Sequence, residues 1–272
     1  MEIINLDKQD SKILKINVFF SHHDVDTDLD LKDKNVVVID VLRTSTTMIT
    51  GLANGAKEVI PTDSIAAAGI IGRNSREQAL LCGEKNAKII EGFNLGNSIN
   101  EYSEENVKGK SLIFCSTNGT PALIKSKFSH ICVILGFVNI SRVVQYMNTL
   151  GKDFIILCAG KNEEFSLEDT VCAGMLIDML TGKNSVHKYE LSDSAVGAAK
   201  LYLAYKKDLL KMMSDSEHGR LLVSLGFEQD LLDCSKVDVY NILPVLRNGV
   251  IKPIDVFESD PKLAMKKVTK SA

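Results

Sequence analysis

The chain has 272 residues, 45% of them hydrophobic and 25% charged, which allows one large α/β domain or two small ones with an ample core and excludes disordered or fibrous classes. A net charge of -3 excludes non-specific attraction to nucleic acid or an anionic membrane, because a phosphate polyanion needs a basic face. Affinity for an acidic small molecule must therefore be local, built from a few cations, helix starts or a bound metal ion.

The first residues, MEIINLDKQDSK, are too polar for a signal peptide, and no apolar run approaches the roughly 20 residues that span a bilayer. Leu14 to Phe20 predicts a strand. The acidic run from His22 to Asp33 predicts a loop, whose His22, His23, Asp24, Asp26 and Asp28 follow no known ligand spacing and read as solvated charge. Asn35 to Ile39 is a nearly unbroken β-branched run of buried-strand type. Asp40 stands where that strand ends. Arg43 and the hydroxyls Thr44, Ser45, Thr46 and Thr47 follow, leading into MITGLANGA, a short helix closed by Gly51 or Gly55. Lys57 to Pro61 predicts a strand and Asp63 to Gly72 an alanine-rich helix capped by Asp63 or Ser64.

Ala79 to Cys82 predicts a short strand ending at Gly83 and Glu84, and EGFNLGNSINEY, from Glu91 to Tyr102, a loop. Further strands are expected at Ser111 to Cys115, His130 to Leu135 and Asp153 to Cys158. Helices are expected after Pro121, at Ile140 to Leu150 and at Ser166 to Leu180. Ser192 to Met213 is a long amphipathic stretch and Glu217 to Leu225 a shorter one. Asn248-Gly249 in VLRNGVI signals a type I′ hairpin, and the basic tail from Glu258 to Ala272 is expected to fray. The six cysteines form no Cys-x-x-Cys pair and sit mostly in apolar runs, as expected of reduced thiols in a cytoplasmic protein.

Strands alternating with helices predict a three-layer α/β/α fold around a mixed, mainly parallel sheet, the hairpin adding antiparallel pairing. No linker composition interrupts the chain. One domain over residues 1–272 is expected, with a helical and hairpin appendage from about residue 190.

Three segments repeat one plan of apolar strand, small or hydroxylic turn and helix start: VVVID-VLRTSTT, LIFC-STNGT-PAL and FIILCAG-KNEEF-SLEDTV. If the three strands run parallel, their carboxyl ends share one sheet edge, where open α/β folds place ligands. That would gather Asp40, Arg43, Thr44, Ser45, Thr46, Thr117, Asn118, Thr120, Glu168 and Asp169 around one pocket suited to a phosphate. Structural roles compete: Ser166 with Asp169 has capping-box spacing, Thr44 and Ser45 suit N-caps, and Asn118-Gly119 suits a turn. Asp40 differs, because an ionised carboxylate at a buried strand end is costly unless Arg43 or a divalent cation pairs it. Glu84 belongs to the same class. His130, His187 and His218 have no matching partners and read as core or surface histidines.

No P-loop, dinucleotide fingerprint, H-E-x-x-H, G-x-S-x-G or Cys-x5-Arg motif is present; where Gly109-Lys110-Ser111 approximates a P-loop, Glu104 stands at the first glycine. The aspartyl-nucleophile motif D-x-D-x-T is broken by Leu42.

The motifs VIDVLRTSTT, Gly83-Glu84, GFNLGNS with Asn97 and Ser98, STNGT at 116–120 and CAG…FSLEDTVCAG at 158–174 together resemble the 2-phosphosulfolactate phosphatase family, over about residues 35 to 250. The pattern of SLGF at 224–227 with Asp230 is similar. The chain departs from the family at Lys85-Asn86, where Arg-Gly is usual, which exchanges a bidentate fork for a point charge.

The resemblance implies a Mg²⁺-dependent phosphatase that converts 2-phospho-3-sulfolactate, or a related phosphorylated 2-hydroxy acid, to the free hydroxy acid on the way to coenzyme M, as a homodimer. On that expectation Asp40, Glu168 and Asp169 hold Mg²⁺ directly or through waters, and Arg43 clamps the phosphate with Thr44, Ser45 and Thr46. Asn97, Thr117, Asn118 and Thr120 grip the rest of the substrate, and Glu84 orients water or protonates the leaving alkoxide. The alternatives are an aspartyl-phosphate route through Asp40 and a non-catalytic anion-binding module.

Overall fold

A computed structural model, which describes residues 12–75 and 79–255, shows eleven strands and ten α-helices among those residues. In chain order they are β1 (Leu14–Phe19), β2 (Asn35–Ile39), α1 (Thr44–Ala53), β3 (Glu58–Pro61), α2 (Ile65–Asn74), β4 (Ala79–Lys85), β5 (Lys88–Ile89) and α3 (Glu104–Val107). β6 (Ser111–Cys115), α4 (Gly119–Lys125), β7 (Ile131–Leu135), α5 (Ile140–Leu150), β8 (Phe154–Cys158), α6 (Leu167–Thr181) and β9 (Tyr189–Leu191) follow. The described chain ends with α7 (Asp193–Tyr205), α8 (Leu209–Asp215), α9 (Glu217–Ser224), α10 (Glu228–Cys234), β10 (Pro244–Arg247) and β11 (Val250–Pro253). The tail from Glu258, expected to fray, lies outside the described residues.

The strands form one mixed sheet in the order β5-β4-β6-β3-β11-β10-β7-β2-β8-β1-β9. β7, β2, β8, β1 and β9 run parallel to one another, and so do β3, β6 and β4. Between the two blocks sits the β10–β11 hairpin, whose turn has Asn248 at φ 52° and Gly249 at φ 77°, the positive pair a type I′ turn requires. Three successive antiparallel pairings, β7 with β10, β10 with β11 and β11 with β3, reverse one block relative to the other. The expectation that the three repeated segments lie on parallel strands of one edge therefore fails for β6. It runs opposite to β2 and β8, with β3, β11, β10 and β7 between.

The sheet nevertheless brings β2 and β6 together, because it folds around α1 and α4. Val36 and Val38 of β2, Val59 of β3 and Leu112 and Phe114 of β6 share one core with Met48, Ile49 and Leu52 of α1 and Ala122 and Leu123 of α4. The alternate residues of each strand face the other way, as the pleat requires. Val37 and Ile39 pack against α5, α6 and α7, and Ile113 and Cys115 against α2. α1 is thus surrounded, and every residue from Thr44 to Leu52 is buried.

The segment beyond Tyr189 is no appendage. Ala195, Ala198, Met212, Met213, Leu222 and Leu231 belong to the main core, and the hairpin occupies the middle of the sheet. The long stretch read from Ser192 to Met213 divides in two, with Asp208 capping α8 by accepting from Lys211 N at 2.8 Å.

Candidate active site

The loop between β2 and α1 is built by matching buried hydroxyls to backbone groups, which removes the cost of burying them bare. Ser45 Oγ accepts from Asp40 N at 2.9 Å, Thr46 Oγ1 donates to Val41 O at 2.9 Å, and Thr47 Oγ1 donates to Asn97 O at 2.9 Å. The hydroxyls of Ser45 and Thr46 are thus committed to their own loop, as is that of Thr120, which donates to Ser116 O and accepts from Ser116 N. Thr44 is placed differently. Its N–H donates to Asp40 Oδ1 at 3.2 Å, and its hydroxyl donates to Ser116 Oγ at 3.1 Å, joining the carboxyl ends of β2 and β6.

Asp40 is 6% exposed and faces a small chamber of about 10 Å³, also lined by Arg43, Thr44, Glu84, Asn97, Asn118 and His218. That volume is the room of about one water or ion. A cleft of about 120 Å³ adjoins it, sharing Glu84, Asn118 and His218 and adding Thr117 and Lys161. Glu84 is fixed at both oxygens, accepting from Thr117 N at 2.8 Å and Ala87 N at 2.6 Å. Asp169 accepts from Val41 N at 2.8 Å and Gly160 N at 3.3 Å, which ties the tips of β2 and β8 together. Ser166 caps α6 through Asp169 N at 3.4 Å, so the capping role read for this segment holds.

Arg43 does not pair with Asp40. Its Nη1 donates to Asp230 Oδ2 at 2.7 Å, its Nη2 donates to Ala87 O at 2.9 Å, and its guanidinium lies 4.3 Å from the centre of the Phe227 ring. Ser98 Oγ donates to the other oxygen of Asp230 at 2.7 Å. The acids are consequently left to repel one another. Burial pushes Asp40 up to about 7 against the pull of the Thr44 hydrogen bonds, and the charges of Glu84 and Glu168 add to the rise. Burial raises Glu168 too, and burial together with Asp40 and Glu168 holds Asp169 well above the usual carboxylate range.

The donor set suits a hard cation. Three carboxylates are buried close together with the nearest guanidinium committed elsewhere, and Asn97 Oδ1, on the chamber wall, is buried without a hydrogen-bond partner. Asp40 and Glu168, with Asn97 Oδ1, could serve Mg²⁺, which needs few protein oxygens and keeps several waters. Asp169 has both oxygens on backbone N–H groups and fits an orienting role better. Among the described residues no group of three or more His, Cys, Asp or Glu side chains is arranged to hold a metal by itself.

His218 and Lys161 also line the site, and both were missed in the sequence. His218 Nδ1 lies 3.7 Å from Glu168 Oε1; burial, with Arg43 and Lys161, lowers it to about 4, so it is neutral at pH 7 and the contact is not an ion pair. Lys161 pairs with Glu217 at the cleft mouth. Lys161 carries a readable signal, a cation just beyond a strand tip, as Arg43 is. His218 carries none, since its neighbours come from distant segments.

The sequence model of the 2-phosphosulpholactate phosphatase family matches residues 19–249. The chain belongs to this family. Its relatives include a "Probable 2-phosphosulfolactate phosphatase" of Caldanaerobacter subterraneus subsp. tengcongensis, 41% identical over 83% of this chain and 92% of the relative. Proteins of the same name from Thermotoga maritima and Clostridium tetani are 38% and 35% identical, over 80% and 88% of this chain and 91% and 100% of their own length. The family match spans every strand tip that contributes to the chamber. All six cysteines are free and buried, and no described helix is long and apolar enough to cross a membrane.

Proposed function

We propose that this family member is a Mg²⁺-dependent phosphatase that hydrolyses 2-phospho-3-sulfolactate or a related phosphorylated 2-hydroxy acid, a step towards coenzyme M. The observation that carries the proposal is the chamber itself. Asp40, Glu84, Glu168 and Asp169 interact in one buried region while Arg43 is held by Asp230, an arrangement that calls for a cation and an anionic partner.

Bound there by Asp40, Glu168 and Asn97, Mg²⁺ would supply Lewis-acid neutralisation of charge on the phosphoryl oxygens. The chain's own groups do the positioning, which dominates phosphoryl transfer. Arg43, locked by Asp230, Ala87 O and Phe227, presents a fixed positive charge to the chamber. Thr44 and Asn118 offer polar groups from two different strand tips, and Lys161 adds positive charge at the mouth. Glu84, immobilised by two backbone donors, would orient a water or return a proton to the leaving alkoxide.

The test is a scan of small phosphate esters with and without Mg²⁺, run on the wild type and Asp40→Asn. Phosphate release that requires the metal and falls by about 10²–10³-fold or more in the variant, with the fold retained, supports the enzyme. Tight binding without release points to an anion-binding module, and full activity of Asp40→Asn removes Asp40 from the chemistry.

A further inference from the structure

The catalytic cleft, at about 120 Å³, is small for a ligand site; such sites usually occupy about 300–1,000 Å³. Directly beside it lies a cavity of about 460 Å³ that shares Glu84, Asn86 and Thr117 with the cleft. The boundary is a fixed ridge, because the Glu84 carboxylate holds Thr117 N and Ala87 N. Beyond the ridge the character changes. The far cavity is lined by Ile65 and Ala66 from the first turn of α2, Ile90 after β5 and Cys115 at the end of β6, with Asp63, Ser64 and Lys85 among its polar lining groups. Ile65 is 43% exposed, and burial raises the Cys115 thiol, keeping it in its neutral form.

We propose that this second cavity binds the organic half of the substrate, so that the site takes phosphorylated 2-hydroxy acids whose organic half extends beyond three carbons with an apolar segment. The assignment rests on the reading that the cleft beside the chamber receives the phosphate. From the cleft, a longer organic half has an apolar wall to reach across the Glu84–Thr117 ridge. Affinity should then grow with the apolar surface removed from water, while the phosphate contacts stay the same.

Calorimetric binding of two non-hydrolysable dianions, methylphosphonate and phenylphosphonate, to the full chain with Mg²⁺ tests this. Phenylphosphonate is expected to bind at least tenfold more tightly. Ala66→Phe, at an exposed helix position outside the catalytic machinery, should fill the cavity and erase that preference while leaving methylphosphonate affinity within twofold; Ala66→Leu gives a milder plug if the first variant folds poorly. Equal affinities in the wild type, or a phenyl preference that survives both plugs, overturn the assignment. Hydrolysis of small esters without any phenyl preference sinks this proposal alone. A phenyl preference that Ala66→Phe abolishes, in a protein that hydrolyses no ester, sinks the phosphatase reading alone.

Discussion

Arg43 has the most constrained side chain of the site. Its guanidinium is 2% exposed and depends on Asp230, itself 1% exposed, for the compensating charge. Breaking a buried pair from one side leaves a bare charge, a cost of about 3–5 kcal/mol. Asp230→Ala should destabilise the protein by that order in chemical denaturation, and it also strips Ser98 Oγ of its acceptor. Asp230→Asn, which keeps the shape and one acceptor oxygen but not the charge, also leaves Arg43 uncompensated and should lose nearly as much stability. A much smaller loss in Asp230→Asn than in Asp230→Ala would show that shape and hydrogen bonding, not charge, are what Asp230 contributes. Asp230 was visible in the sequence only as part of the pattern with SLGF at 224–227. The partnership with Arg43 could not be read, since nothing local links positions so far apart. Asp40 and Glu84 were legible because a carboxylate at a buried strand end is anomalous without any knowledge of its partners.

At the scale of elements, the start of α4 is what closes the chamber. A Cβ built on Gly119 would stand 2.4 Å from Asp40 Oδ2 and 2.6 Å from Thr44 Cβ, so this helix can approach β2 only with glycine there. Gly119→Ala must push against a locked carboxylate and an anchored threonine. A loss of about 1–3 kcal/mol in thermal or chemical denaturation is expected from such overpacking, together with at least a tenfold loss of phosphatase turnover. Gly69, in the middle of α2 with nothing within 4 Å of its built Cβ, is the control; Gly69→Ala should gain about 0.5–1 kcal/mol. Unchanged activity in Gly119→Ala would mean that α4 can retreat without cost. The sequence showed the Asn118-Gly119 turn but not the neighbour it admits. Elements with strong local signals were read nearly to the residue, as at Ser111–Cys115, Ile140–Leu150 and the Asn248-Gly249 hairpin. Gly83 misled, because it continues β4 instead of ending it, its missing side chain making room for the Cys115 backbone of β6.

For the whole molecule, convergence of the three repeated segments was legible while the route to it was not. Strand order is set by non-local pairing, and the hairpin that inverts one half of the sheet comes last among the described elements, far from the motifs it separates. The result is a carboxylate cluster buried where two oppositely directed blocks meet, and this makes overall stability depend on pH. Asp40 in the folded protein is raised to about 7, against an unfolded value near 3.8, and Asp169 and Glu168 are raised as well. Between those limits the folded state holds more protons than the unfolded one, so stability falls as pH rises. The metal-free protein should therefore lose melting temperature from pH 4 to pH 7, by about 2–4 °C for each kcal/mol lost, as followed by calorimetry or circular dichroism. Mg²⁺ would favour the ionised carboxylates and should raise the melting temperature more at pH 8 than at pH 5. A melting temperature that climbs across this range without metal would mean that the acids are already compensated within the chain, and the case for a cation in the chamber would go with it.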